Sequence, residues 1–413
     1  MSRKWLEHEG RTWIEKGIIT SDQHRRLIQL YPEQKRAVGI IPILGSILVG
    51  LGILSFTAAN WQDIPELVRL IMIGLVLVLF YAAGGVYYRK GQERLGIALL
   101  SIGLITFGAG IVLVAQMFHL VAYDTTSFIV WGCAGLLLTY LYPSRFLFLL
   151  SLLIMTWSQW YSVVEFNNFS YFTFAVTVLG FGYYWRNRQN ALLAWCLALS
   201  FTAQSLMMVT VNDWPFTWFF LPVWLLYSLM DWNKERRSVY PFQAVPLVAA
   251  YLFNLFIVLF WDEGHVESSS FYEDIAAQPL IYGLSLLILL GISLAGKQRY
   301  KRLESAPDWM LALPFFYLTS GMDVVYLIIL SLFSLYLLWR GYAEEWRLKI
   351  NLGTLLFLCS TMAAYFKLTW GFMDKSVFFI LGGIMLLALS WFLNRRKQKF
   401  LADIEEENSH ELQ

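Results

Sequence analysis

The polar residues best placed to do chemistry follow a long apolar run, in the stretch AQMFHLVAYDTTSFIVW (115–131). Gln116 and His119 are three residues apart and therefore share one face of a helix. Asp124 follows after a four-residue loop, close enough for the three side chains to meet. An imidazole titrates near neutral pH, so this trio would suit a pH response or a small polar gate. The structural alternative, which we favour, is that polar residues at a wet boundary hydrogen-bond the loop.

A second polar segment, AANWQDIPE (58–66), follows the first apolar run. Asn60 can cap a helix or turn the chain, Trp61 can anchor at the membrane interface, and Asp63 can be solvated. This segment is predicted to lie on the same side of the membrane as His119, so the two loops would share one surface. The candidate outward-facing polar site therefore consists of Asn60, Trp61, Asp63, Gln116, His119 and Asp124.

The rest of the sequence argues against enzymatic chemistry. It contains no H-E-x-x-H, P-loop or G-x-S-x-G motif. Cys133, Cys196 and Cys359 lie inside apolar runs without metal-ligand spacing. The acidic loop 261–278 has no fixed ligand spacing, and no basic face suited to nucleic acid is present. We predict that the protein is not an enzyme and has no metal, no cofactor and no nucleic-acid partner.

Ionisable side chains fall in loops or within a few residues of the ends of the apolar runs. A charge at the bilayer centre costs roughly 2.5–3.5 kcal/mol on insertion scales, so one that persists there usually has a function. The absence of such charges argues against a proton relay or an ion pump built on buried carboxylates.

Membrane-spanning helices are the elements that must position these residues. The chain has 413 residues, of which 58% are hydrophobic and only 15% charged, whereas a soluble domain carries roughly a quarter charged residues. A helix needs about 20 apolar residues to cross the bilayer. The fold class predicted is all-α, a polytopic membrane helical bundle with about fourteen transmembrane helices, at about 38–59, 67–88, 95–117, 125–142, 145–163, 169–185, 191–211, 216–230, 242–261, 279–296, 309–320, 322–339, 350–367 and 376–393.

The distribution of basic residues predicts the orientation. With fourteen spans and an inside N-terminus, 28 of the 31 Lys and Arg residues fall in alternate segments, leaving Arg69, Lys367 and Lys375 on the other side. Because basic residues accumulate in cytoplasmic loops, both termini are predicted to be cytoplasmic, in a cell membrane. The run 309–320 covers only about 18 Å as a helix, short of a bilayer near 30 Å, so thirteen spans is the alternative.

Three regions follow from these patterns. Residues 1–37 are predicted to be a cytoplasmic helical hairpin, in which Gly17 stops the first helix and the capping box of Thr20 and Gln23 opens the second. Residues 38–393 form the transmembrane bundle, and residues 394–413 form a charged cytoplasmic tail. Within the bundle, the small residues of Ser46/Gly50 and Thr106/Gly110 predict close helix contacts, and the buried amides Gln204 and Asn254 predict hydrogen bonds between helices.

The N-terminal third resembles a widespread prokaryotic family of multi-span membrane proteins whose defining domain has no known function. The resemblance lies in WLEHEGRTWIEKGIITSDQ, in GSILVGLGILSFTAANWQDIP and in GAGIVLVAQMFHLVAYDTTSFIVWGCAGLLLTYLYPSR. Together these cover roughly the first 145 residues. The family implies a membrane location but no activity, so it identifies no catalytic residue.

Two functions remain open from the sequence. Short or proline-interrupted spans are typical of discontinuous helices around a transport site, and Pro222 and Pro314 lie in the two short spans. This favours a carrier or flippase-like transporter of a neutral or lipid-like molecule. The alternative is a non-transporting envelope or sensory protein whose residues 1–37 bind a cytoplasmic protein partner.

Overall fold

A computed structural model describes residues 9–10, 13–14, 16–24, 36–59, 65–260, 279–312, 322–369, 377, 380–384, 387 and 391. These residues are helical or lie in short turns, and no β-strand occurs among them. This is what lipid requires of an open chain, since a helix satisfies its backbone hydrogen bonds within one segment. The prediction of an all-α helical membrane bundle is confirmed.

Fourteen α-helices have defined bounds within the described residues, and seven of the described helices are long and apolar enough to cross a membrane. In chain order they are α1 (Arg36–Ala59), α2 (Glu66–Arg89), α3 (Glu93–Met117), α4 (Thr126–Leu141), α5 (Arg145–Phe166), α6 (Tyr171–Ala175), α7 (Gly182–Arg188), α8 (Ala191–Val211), α9 (Phe220–Met230), α10 (Arg236–Val239), α11 (Pro241–Phe260), α12 (Pro279–Arg299), α13 (Met322–Ala343) and α14 (Arg347–Thr369). A π-helical turn, Val176–Phe181, joins α6 to α7, and 3₁₀ segments occupy Phe216–Phe219 and Leu303–Ala312.

Twelve of the fourteen predicted spans coincide with these helical segments. The run 309–320 falls partly in the second 3₁₀ segment and partly outside the described residues, and only isolated residues of 376–393 are described. The number of spans and their orientation stay predictions. At the N-terminus, Gly17 has a φ of +68°, and the backbone N–H groups of Thr20 and Gln23 donate to each other's side chains, so the predicted capping box is confirmed. Residues 25–35 lie outside the described residues, and residues 36 and 37 already belong to α1, so the extent of the 1–37 hairpin stays a prediction.

The chain divides into two compact units, residues 1–151 and residues 152–413. In unit 1, α2 and α3 form an antiparallel hairpin whose turn contains Gly91 at φ +83°. The two helices approach so closely that a Cβ on Gly96 would lie 2.7 Å from the backbone nitrogen of Tyr88. A Cβ on Gly50 of α1 would lie 2.5 Å from the side chain of Ile105 of α3, so the predicted close helix contact at Gly50 is confirmed.

Unit 2 is built around aromatic residues and inter-helical hydrogen bonds. Trp224 of α9 stacks on Trp309 of the second 3₁₀ segment at 4.4 Å between ring centroids. Both predicted buried amides join elements. Gln204 of α8 donates to Thr177 in the π turn at 3.3 Å, and Asn254 of α11 donates to the carbonyl oxygen of Leu311 at 3.1 Å. Polar side chains therefore fix the irregular segments of unit 2 against its regular helices.

Candidate functional site

Three residues of the predicted polar site are described, and each is exposed. His119 follows α3 with a φ of +49°. The Leu120 N–H donates to the Ala115 carbonyl at 2.8 Å and the His119 N–H to the Gln116 carbonyl at 3.4 Å. This pair of bonds is a Schellman motif, in which a left-handed residue, most often glycine, ends the helix. His119 therefore has a backbone role that requires no ligand.

Asp124 has a local role as well. Its Oδ1 accepts a hydrogen bond from the Thr126 N–H at 2.9 Å, at the start of α4. The backbone and side-chain hydrogen bonds of Thr126 lower the pKa of this carboxyl. No hydrogen bond or ion pair joins the described side chains of Gln116, His119 and Asp124 to one another.

The other predicted site residues are placed as follows. Asn60, Trp61 and Asp63 lie outside the described residues, as does Pro314. Pro222 lies in the first turn of α9, directly after the 3₁₀ turn Phe216–Phe219, and the chain remains helical through it. The outward-facing site and the broken helices thus stay predictions. Within the described ranges, no group of three or more His, Cys, Asp or Glu side chains is placed to hold a metal ion.

A different set of residues forms the most unusual site of the described structure. Six charged side chains from the ends of neighbouring helices meet inside unit 2, and five of these residues are buried. They come from the residue after α9, the last turn of α12, the second 3₁₀ segment, the last turn of α13, the turn after it and the first turn of α14. We call this group the ionic cluster: Asp231, Lys297, Asp308, Arg340, Glu344 and Lys349.

Lys297 is the centre of one half of the cluster and is 0% exposed. Its Nζ donates to the hydroxyl of Tyr227 at 2.8 Å and to the carbonyl oxygen of Ser305 at 2.9 Å. The same Nζ lies 3.5 Å from Oδ2 of Asp231. The ammonium group is thus surrounded by three oxygen atoms, which compensates for its removal from water.

Asp231 is bonded on both carboxylate oxygens. Gln243 Nε2 donates to Oδ1 at 2.8 Å, and Ser293 Oγ donates to Oδ2 at 2.5 Å. Burial raises the pKa of this carboxyl above its usual value, and the charge of Lys297 and the two hydrogen bonds only partly oppose the rise. Asp231 is therefore easier to protonate than a carboxyl in water.

Asp308 links the two halves of the cluster. Its Oδ2 accepts a hydrogen bond from the Tyr227 hydroxyl at 2.5 Å, while its Oδ1 is buried without a hydrogen-bond partner. Arg340 NH1 lies 3.9 Å from that Oδ1, which is an ion-pair distance but too long for a hydrogen bond. A cavity of about 20 Å³ borders Asp231, Asp308, Arg340 and other side chains. That volume and polarity suit about one water molecule.

The other half of the cluster joins α13 to α14. Arg340 donates to Oε1 of Glu344 from Nε at 3.0 Å and from NH2 at 2.6 Å. Lys349 Nζ donates to Oε2 of the same carboxylate. One glutamate in the turn between two helices therefore binds a cation from each.

The cluster contains three acidic and three basic side chains, so their formal charges cancel. Such a balanced set can be buried, whereas removing one member leaves an uncompensated charge and typically costs 3–5 kcal/mol. The arrangement also supports proton movement, because hydrogen bonds or ion pairs run without interruption from Asp231 through Lys297 and Tyr227 to Asp308.

The sequence placed these charges correctly at helix ends but did not reveal that they are buried. At the end of a span, a charged residue is usually solvated, so hydropathy alone counts it as part of a loop. One feature of the sequence could have indicated the cluster. The acidic residues Asp231 and Asp308 lie among the Lys and Arg residues that follow α9, α12 and α13. Asp231 and Asp308 are 2% and 5% exposed, so carboxylates are buried here at the ends of helical segments, where the absence of charges from the middle of the spans gives no indication of them.

Comparison with known families places the N-terminal third. Residues 11–148 match the family model described as predicted membrane protein (DUF2157), which confirms the resemblance inferred from the sequence. The match falls within unit 1 and excludes every residue of the ionic cluster. No curated protein and no solved structure matches the chain. The chain is a membrane protein with a helical bundle, and the comparisons give it no activity.

Proposed function

We propose that the protein is a membrane carrier of a neutral or lipid-like molecule, and that the ionic cluster is its gate. The observation that carries this proposal is the 3₁₀ segment Leu303–Ala312, which brings Asp308 into the cluster and then runs into the interior of unit 2. Discontinuous or irregular segments of this kind are the common signature of transport sites within membranes.

The course of this segment follows from its contacts. Lys297 and Arg340 lie in the last turns of α12 and α13, so both helices end at the cluster. The described part of the chain between them, Leu303–Ala312, starts at the cluster and leads away from it. Ser305 lies at the cluster, and Leu311 meets Asn254 of α11. Asn254 is eleven residues beyond Gln243, which contacts Asp231, and this is about 16 Å along a helix.

The backbone of this segment supports a transport role because it is not α-helical inside a lipid-embedded bundle. Non-helical backbone is tolerated at membrane depth only where protein buries it or where it lines a water-filled space. Here it borders the small polar cavity beside Asp308. A 3₁₀ segment has weaker internal hydrogen bonds than an α-helix, so it can be displaced more easily.

The cluster has the properties of a gate that opens and closes. It connects the ends of α9, α12, α13 and α14 with the 3₁₀ segment through ion pairs, which form or break as discrete units. A water molecule in the cavity beside Asp308 can bond its unpartnered Oδ1 and compete with the ion pair to Arg340. Substrate passage can therefore act on this residue.

Reconstituted protein tests this proposal directly. Liposomes would contain fluorescent analogues of phosphatidylcholine, phosphatidylglycerol and diacylglycerol, and movement between leaflets would be followed by chemical quenching from outside. We expect the wild type to accelerate movement of at least one analogue and Asp308→Asn to slow it several-fold. Glu304→Gln is the matched control, because this exposed side chain lies in the same segment outside the cluster.

Two results would count against the carrier. Wild-type protein that accelerates no analogue would exclude lipid-like substrates, and equal rates for Asp308→Asn and Glu304→Gln would show that the cluster takes no part in transport.

Removal of residues 1–36 distinguishes the sensory alternative. Transport should survive this truncation if the protein is a carrier, whereas a sensor that binds its partner through residues 1–37 would lose that partner.

A further inference from the structure

A lateral groove in unit 2 has features that the ionic cluster and the gate do not use. It has a volume of about 950 Å³ and runs along the π turn, α7 and α8 on one side and α9 with the following loop on the other. This volume is within the range of pockets that bind small molecules. The groove is separate from the cavity at Asp308.

The groove changes from apolar to polar along its length. Its apolar part is lined by Leu179, Leu197, Phe201 and other hydrophobic side chains. Its polar end contains Arg186 and Lys234, with Trp and amide side chains nearby. Nine residues of helix separate Thr177 from Arg186, which corresponds to about 14 Å. An occupant must therefore be long, apolar over most of its length and polar at one end.

The polar end carries a net positive charge that no described carboxylate neutralises. The side chains of Arg186 and Lys234 are both exposed, and no ion pair involves either one among the described residues. The nearest acidic residue in sequence, Glu235, is also exposed and forms no ion pair there. This contrasts with the ionic cluster, in which each cation lies within ion-pair distance of a carboxylate.

The loop that carries Lys234 is fixed before any ligand binds. Arg302 donates from NH1 to the carbonyl oxygen of Asn233 at 3.0 Å and from NH2 to that of Lys234 at 2.5 Å. The indole nitrogen of Trp232 donates to the carbonyl oxygen of Ile292 at 3.1 Å. Three hydrogen bonds therefore fix the loop that lines one side of the polar end, which lowers the entropic cost of binding a ligand.

We infer that this groove binds one anionic phospholipid, with its phosphate between Arg186 and Lys234 and its acyl chains along Leu179, Leu197 and Phe201. Basic pockets between membrane helices are the usual receptors for anionic lipid headgroups, and tryptophan residues such as Trp185 and Trp232 favour the headgroup level. The inference does not depend on transport, since a lipid can bind in this groove without crossing the membrane.

Thermal stabilisation of the purified full-length chain in detergent tests this inference. A lipid that binds only the folded state raises the unfolding temperature in proportion to its affinity and concentration. Phosphatidylglycerol is the probe, and phosphatidylcholine and soluble glycerol phosphate are the comparisons. We expect phosphatidylglycerol to stabilise the wild type at concentrations at least several-fold lower than either comparison.

Variants of the groove residues then test whether phosphatidylglycerol binds in the groove. Arg186→Gln combined with Lys234→Gln should shift the phosphatidylglycerol titration several-fold towards higher concentration. Arg188→Gln is the matched control, because Arg188 is exposed two residues away, packs over Tyr184 and does not line the groove. Leu179→Ser, also at an exposed position, should weaken binding of long-chain phosphatidylglycerol but not of glycerol phosphate.

Several outcomes would overturn the inference. Equal stabilisation by phosphatidylcholine would exclude selection for an anionic headgroup. An equal shift in Arg188→Gln and in the double variant would indicate general attraction to basic residues. If glycerol phosphate protects as well as the lipid, the apolar part of the groove takes no part in binding. None of these readouts involves movement of lipid, so the carrier proposal can fail while this one holds.

Discussion

The two units bury polar groups in different ways. In the described part of unit 1, the buried polar side chains are all Ser and Thr, and several bond the carbonyl four residues earlier in their own helix, as Thr139 does to Gly135. Unit 2 buries four amide side chains and five charged ones. Most of these amide and charged groups bond across elements, as Asp308 does with Tyr227.

The helices of the two units are held together by correspondingly different forces. In unit 1, glycines allow backbones to approach, and van der Waals contact supplies the stability. In unit 2, charged and aromatic side chains supply much of the specificity. The glycine contacts of unit 1 allow few alternative packings, because a close contact between two helices is either made or lost. The charged side chains of unit 2 can exchange hydrogen-bond and ion-pair partners, so the proposed gate lies in unit 2.

The largest effect is expected from removing one charge of the ionic cluster. Lys297→Met leaves the buried carboxylate of Asp231 without its ion-pair partner and removes the donor to the Tyr227 hydroxyl, and we expect a loss of about 3–5 kcal/mol of folding free energy. Thermal unfolding of purified protein in detergent measures it. Lys301→Met, four residues later at an exposed position, should change stability little. Similar unfolding temperatures for the two variants would show that the cluster is not buried.

A smaller loss is expected in unit 1 from adding one methyl group between helices. Gly96→Ala would place a Cβ 2.7 Å from the backbone of Tyr88, so α2 and α3 must separate at a cost of about 1–3 kcal/mol. Gly74→Ala is the matched control in the same hairpin, because nothing lies within 4 Å of its added Cβ. The control should be neutral or slightly stabilising, since alanine favours helix more than glycine does. Equal losses in both would contradict the close approach.

His119 gives a prediction that separates backbone role from chemistry. Because its φ is +49°, His119→Gly should be at least as stable as the wild type, while His119→Ala should be less stable than the glycine variant by about 1 kcal/mol. Unfolding temperature in detergent measures both. If the imidazole also forms part of a functional site, the glycine variant would lose the lipid movement measured in liposomes although it keeps the fold. An alanine variant more stable than the glycine variant would contradict the Schellman geometry.

Local patterns predicted much of the fold, and long-range partners could not be predicted. The runs of apolar residues located twelve helical segments, and Thr20 with Gln23 formed the expected capping box. These features depend on residues close in sequence. Burial of Lys297 depends on Tyr227, 70 residues away, and on a 3₁₀ segment that hydropathy treats as a short span. No periodic pattern in the sequence encodes this contact of Lys297 with Tyr227 and the 3₁₀ segment.

The smallest expected effects concern pH, and they have opposite signs in the two units. Burial raises the pKa of Asp231 above 3.8, so the folded state binds its proton more tightly than the unfolded state. Relative to Asp231→Asn, the wild type should gain stability as pH falls through that raised pKa, and the difference in unfolding free energy should become constant below pH 3.8.

Hydrogen bonds lower the pKa of Asp124, so the stability that its carboxylate contributes is complete above pH 3.8 and is lost as pH falls through the lowered pKa. Unfolding temperatures of the wild type, Asp231→Asn and Asp124→Asn between about pH 3 and 7 would reveal both. Changes of the same sign in the two variants would show that the carboxyl of Asp231 is hydrated rather than enclosed by Lys297, Gln243 and Ser293.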